Sequence, residues 1–72
     1  MPEKTYKKVE LVGSSDDSIE QAIKNAYEKA STSIHNLRWF EVTEIRGNFH
    51  EGTPTFQVSL KVGFRLDDES EG

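Results

Sequence analysis

The sequence contains no cysteine, so neither disulfides nor thiolate metal sites can brace the fold. Its two histidines, His35 and His50, are too few for a structural zinc site of the usual four-ligand kind. No apolar run approaches the ~18 residues of a membrane span. The opening Met1-Pro2-Glu3-Lys4 has no apolar segment, so no secretory signal is expected. There is also no basic run. Lys plus Arg total 9 against 13 Asp plus Glu, for a formal net charge of -4. Asp67, Asp68, Glu69 and Glu71 lie in the last six residues, and the body before them is close to neutral. Such a chain suits nucleic acid poorly, because that affinity comes largely from Lys and Arg on phosphates. A soluble cytoplasmic protein, with neither nucleic acid nor membrane as partner, is expected.

What is present is one small domain, expected over residues 1–66, with an acidic tail at 67–72 expected to be disordered. A chain of 72 residues buries only about 60–65% of the surface its unfolded form exposes. A core of that size rarely supplies more than roughly 3–5 kcal/mol unaided. With disulfides and metals excluded, association between copies is the remaining supplement.

Four segments emerge. Tyr6 to Val12 alternates as a half-buried strand, with Val9 and Leu11 on one face and Tyr6, Lys8 and Glu10 on the other, and Gly13 is read as its end. Asp17 with Glu20 three residues later fits a capping box opening a helix. Ile19, Ala22, Ile23, Ala26, Tyr27, Ala30 and Ile34 then form an apolar stripe, whose three alanines imply close approach to a sheet. Leu37 to Arg46 reads as a second strand, Gly47 to Pro54 as a turn region, and Thr55 to Leu66 as a strictly alternating third strand. The predicted fold is α+β, a β-α-β-β unit with one helix on one face of a three-stranded antiparallel sheet. A lone helix cannot cover a sheet this long, and the opposite face has no cover from within the chain.

Parity singles out one residue. If Phe40 and Val42 face the helix, Trp39, Glu41 and Thr43 face away. Gln57, Ser59, Lys61 and Arg65 share that mostly polar face, which puts an amide and cationic groups beside the only tryptophan. A bulge between Leu37 and Arg46 would invert the argument. An outward tryptophan fits a subunit interface. It equally fits a stacking platform for a flat ligand, with Gln57 offering a donor and an acceptor side by side. The two coexist if the ligand lies at a subunit junction.

The segments Lys8-Val9-Glu10-Leu11-Val12-Gly13, Ser18-Ile19-Glu20-Gln21-Ala22-Ile23, Asn36-Leu37-Arg38-Trp39-Phe40-Glu41-Val42, Glu44-Ile45-Arg46-Gly47 and Gln57-Val58-Ser59-Leu60-Lys61-Val62-Gly63-Phe64-Arg65-Leu66 resemble the dodecins, small flavin-binding proteins. The resemblance runs from about Tyr6 to Leu66. It implies a three-stranded antiparallel sheet wrapping one helix, and a homododecameric hollow shell with flavins bound in pairs at subunit junctions, between tryptophans of two-fold-related chains. The cofactor would be FMN, riboflavin or FAD. The tryptophan position falls on Trp39, the glutamine at the flavin's pyrimidine edge on Gln57, and an arginine near the ligand on Arg46. Lys4, Tyr6, Lys8, Lys61 and Arg65 would form basic patches for a second phosphate-bearing ligand, coenzyme A, which some bacterial dodecins bind. The turn from Asn48 to Pro54 departs from the family pattern at Phe49, His50 and Pro54.

The sequence holds no evident catalytic set. The histidines read as solvated or interface side chains, and the carboxylate runs as a helix cap and a solvated tail, so no metal site is expected. Without the resemblance, Arg46 reads as a surface ion pair with Glu44 or Glu41. The function expected is flavin storage, buffering and photoprotection without turnover. The alternative is a homo-oligomeric interaction module that buries Trp39 and binds no flavin, or a coenzyme A-binding assembly.

Overall fold

Residues 3–66 are described in the computed structural model; the acidic tail lies outside them. The order is β1 (Tyr6–Ser15), α1 (Ile19–Ser31), β2 (Leu37–His50) and β3 (Thr53–Arg65). The predicted α+β class and β-α-β-β order hold; the sheet is antiparallel in the order β1-β3-β2, so the strictly alternating strand lies at its centre.

Helix α1 begins one residue later than the Asp17 reading. Ser18 is the N-cap, in extended backbone, and its hydroxyl accepts from the Gln21 amide at 2.9 Å. Asp17 instead donates its own N–H to Ser15 Oγ at 2.9 Å. Gln21 stands in the third helical position but does not close the reciprocal half of a capping box, because its amide donates to Asn25 Oδ1. Ile34 falls outside the helix, just past its C-terminal end.

The alanine stripe packs as its small side chains allow. Ala22, Ala26 and Ala30 are buried, and Ala22 and Ala26 meet Val58, Leu60 and Val62 of β3. Val9, Leu11, Ile23, Leu37 and Val42 pack around that cluster partly buried. Gly13 does not end β1, which continues to Ser15. It is buried under the helix, and a Cβ there would overlap the Ala22 carbonyl oxygen and stand 2.9 Å from Ala26 Cβ. The glycine is the point of closest strand–helix approach.

The expected turn region from Gly47 to Pro54 is mostly strand. β2 runs to His50, β3 begins at Thr53, and the turn shrinks to Glu51 and Gly52, with φ of 52° and 85°. Positive φ at both central residues is the twist that two-residue hairpins require. The result is a long arm. β1 pairs with β3 only as far as Phe56, so beyond that point β2 and β3 run on as a two-stranded ribbon. The protomer measures 54 × 20 × 13 Å, and its radius of gyration of 15.2 Å exceeds the roughly 11 Å of a compact chain of this length.

Helix α1 packs on β1 and β3 and leaves the inner face of β2 open. Phe40, Ile45 and Tyr27 are each more than half exposed, and Phe49 near the arm's tip is 83% exposed. A cleft of about 180 Å³ remains between α1 and β2, walled by Ile23, Tyr27, Leu37, Phe40, Leu60 and Val62. Gly13→Ala is expected to lower the unfolding free energy by about 1–3 kcal/mol through overpacking. Chemical denaturation checks this, and an unchanged midpoint would contradict the close approach.

Candidate functional site

The face of the sheet opposite α1 carries every residue that the sequence assigned to ligand binding except Lys4, which precedes β1 and is exposed. Directly paired residues in an antiparallel sheet project to the same face. Val62 is buried in the core, so its β2 partner Phe40 faces inward, while Trp39, paired with Gly63, faces outward. Tyr6 and Lys8 of β1 join this outer face through their pairing with Arg65 and Gly63.

β2 does contain bulges, at Arg38 and at Thr43. Neither falls between Trp39 and Val42, so the parity of the indole stands. The bulge at Thr43 matters for Arg46. Uninterrupted alternation from Phe40 and Val42 would turn Arg46 toward the helix. The extra residue inverts the count, so Ile45 pairs with Val58 on the inner face and Arg46 pairs with Gln57 on the outer face. The hydroxyl of Thr43 donates to the Ser59 carbonyl at 3.2 Å, tying the bulge to the central strand.

The indole of Trp39 reaches from β2 across the central strand. A Cβ at position 63 would lie 2.5 Å from Cη2 and closer still to Cζ2 and Cε2. Three ring atoms at nearly equal distance mean that the indole presents its face to the Gly63 backbone. Gly63 is buried for this reason although it belongs to the outer face. At the far side of β3 the indole meets Tyr6, with ring centroids 5.2 Å apart and planes tilted by 60°. That is a favourable aromatic geometry. Trp39 nevertheless stays 42% exposed, because its other face is uncovered.

Two clusters therefore occupy one face. Trp39, Gly63, Tyr6, Lys8 and Arg65 stand at one end, and Arg46 and Gln57 at the other. Gln57 is not beside Trp39. It lies six positions along β3 from Gly63, about 20 Å at strand rise. Tyr6, Lys8 and Arg65, expected at a second ligand, lie on the same face at register positions next to that of Trp39. Lys8 also makes an ion pair at 3.8 Å with Glu41 across β3. Both side chains are about half exposed, so the pair contributes little. Among the described residues no ion pair holds Arg46 to Glu41 or Glu44, which removes the surface-pair reading of that arginine. The same residues contain no group of three or more His, Cys, Asp or Glu able to hold a metal, and no helix long and apolar enough to cross a membrane.

A family model described as Dodecin matches residues 5–67. The chain belongs to the dodecin family. Dodecin of Thermus thermophilus is 52% identical over 66 residues, which is 90% of this chain and 96% of that one. Solved dodecins share the fold closely. That of Streptomyces davaonensis gives a TM-score of 0.89 at 46% identity, over 93% of this chain and 100% of its own. That of Streptomyces coelicolor gives 0.88 at 45% identity, over 94% and 99%.

Within this dodecin, sequence reasoning found the outward tryptophan but missed what it rests on. The signal for Gly63 was available, because a lone glycine inside an otherwise regular strand marks a close approach. The ring of Tyr6 lies against Trp39, a contact that the sequence reading did not anticipate. Arg46→Ala should change protomer stability by less than about 0.5 kcal/mol, as for a surface position outside any network. Denaturation midpoints measure this, and a larger loss would give Arg46 a structural task.

Proposed function

We propose that the chain is a flavin-binding protein that stores, buffers and photoprotects FMN or riboflavin, without turnover, at the subunit junctions of a homododecamer. The observation that carries the reading is the half-open indole of Trp39, face down on Gly63 with its other face free. An isoalloxazine is flat and electron-poor, and an indole is flat and electron-rich. Offset stacking between such rings is worth about 0.5–1.5 kcal/mol beyond the area buried. Membership of the dodecin family supports the same ligand.

The separation of Trp39 from Gln57 supports a shared site. One protomer cannot present both to a single ring, so the indole and the amide would come from different copies. The amide of Gln57 would accept from the ring N–H and donate to a ring carbonyl. Arg46, opposite Gln57 on β2, would meet the phosphate of FMN, which a guanidinium fits in two-point geometry. The uncovered inner face of β2 and the elongated protomer support assembly itself.

Photoprotection follows from the same stack. An indole in contact with an excited flavin donates an electron to it, and return of that electron restores both rings without net chemistry.

FMN and riboflavin fluorescence, titrated with purified protein, tests the proposal. Emission should fall as protein is added. Truncating a central aromatic anchor costs about 2 kcal/mol or more, so Trp39→Ala should weaken binding about 30-fold or more. Gln57→Ala should cost roughly 5- to 150-fold, from about 1–3 kcal/mol of unmade hydrogen bonds. Arg46→Ala should weaken FMN and spare riboflavin. An assembled protein that leaves flavin emission unchanged would favour the interaction module, and full quenching by Trp39→Ala would remove the indole from the site.

A further inference from the structure

We propose that Gly63 and Tyr6 are the positioning residues of the stacking platform: the bare backbone at 63 sets the height of the Trp39 indole above the sheet, and the Tyr6 ring fixes its position. The inference rests on the reading of Trp39 as a platform for flat tricyclic rings. It goes beyond that reading by naming what adjusts the platform.

The outer face of β3 presents Gln57, Ser59, Lys61 and Arg65 at alternate positions, and Gly63 is the one gap in that row. The gap is filled from the neighbouring strand by the indole. Even the smallest side chain is incompatible with this arrangement, because its Cβ would lie 2.5 Å from Cη2. Ordinary carbon–carbon contact is about 3.5–4.0 Å, so the ring would have to rise or swing by about 1 Å. A stack of flat rings leaves no slack for that. Each layer sits at contact distance from the next, and a platform displaced by an ångström either closes the gap or leaves a void. If two copies face each other, both platforms move and the mismatch doubles.

Tyr6 acts sideways. It stands diagonally across from the indole on β1, paired with Arg65, and contacts the ring at 5.2 Å between centroids. β3 lies between the two strands, and the indole reaches Tyr6 over the bare Gly63 backbone. Among the described residues, Tyr6 is the aromatic side chain that meets the indole at its β1 side.

The experiment compares the parent protein with Gly63→Ala, Tyr6→Phe and Tyr6→Leu. Three readouts are taken: mass in solution, the near-ultraviolet circular dichroism of the single indole without ligand, and quenching titrations with lumichrome and with FMN. Gly63→Ala should keep the parent mass, alter the indole bands and weaken both ligands at least about fivefold. The two losses should match, because the two ligands share the ring and differ in the tail. Tyr6→Leu should alter the bands and weaken both ligands, while Tyr6→Phe should retain the parent behaviour. Unchanged bands with ring affinity within about twofold of the parent in Gly63→Ala would overturn the inference. A loss confined to FMN would overturn it too. Should Gly63→Ala fail to assemble, the Tyr6 pair decides, and parent-like Tyr6→Leu is then the overturning result. If the parent itself binds neither ligand, the flavin reading fails. The indole bands of the ligand-free variants then judge the platform alone.

Discussion

A thirteen-residue helix is about 20 Å long, whereas a thirteen-residue strand spans about 43 Å. That mismatch governs this protomer. Helix α1 covers one end of the inner face, where its alanines let it approach Gly13 and the buried row Val58, Leu60 and Val62. It cannot reach Phe49, and it leaves Phe40, Ile45 and Tyr27 open at its own flank. The apolar surface left over amounts to a second core without a lid. In a chain with no cysteine to brace it, that surface is the strongest argument for a neighbouring copy.

The outer face follows from a smaller irregularity. Two extra residues in β2 reset its alternation, one before Trp39 and one after Val42. The first lets Leu37 pack inward and Trp39 point outward, only two positions apart. The second brings Arg46 round to Gln57. Without the second bulge the arginine would aim its charge at the core and the amide would have no cationic neighbour on β2. Spacing along β3 then keeps the two clusters apart, about 20 Å from Gly63 to Gln57. One sheet face thus carries two clusters too far apart to meet one small ring within a single chain.

Much of this was legible in the sequence. The period-two run from Thr55 to Leu66 and the alanine stripe are strong signals, and they gave the third strand and the helix face correctly, while the central place of that strand came from the structure. The errors are those of residues whose local meaning is ambiguous. Glycine marks both strand ends and close approaches, so Gly13 read as a terminator when it is a contact with α1. Asp17 and Ser18 are both good caps, and only the hydroxyl geometry chose Ser18. Gly47, Asn48 and Pro54 punctuate a stretch that proves to be ribbon, because only Glu51 and Gly52 take positive φ. Pro54 is tolerated there since β1 has already ended and β3 has a free edge at that point. Bulges leave no mark in composition or period. The parity of Trp39 survived because both bulges fall outside the stretch from Trp39 to Val42.

The chemistry open to such a site is narrow. A flavin that exchanges electrons with a substrate needs a ring face, or at least the edge around its reactive nitrogen, open to that substrate. On the proposed reading, an indole takes one face and a further ring takes the other, so the stack excludes the partner that turnover would require. The geometry then favours holding the ligand and dissipating its excitation. On the same proposal the two clusters come from different copies, and ligand binding and assembly would then share one free energy. Anything that binds only the assembled junction stabilises it by mass action. A small chain with a core too short for its sheet would gain from the flavin as well as retain it.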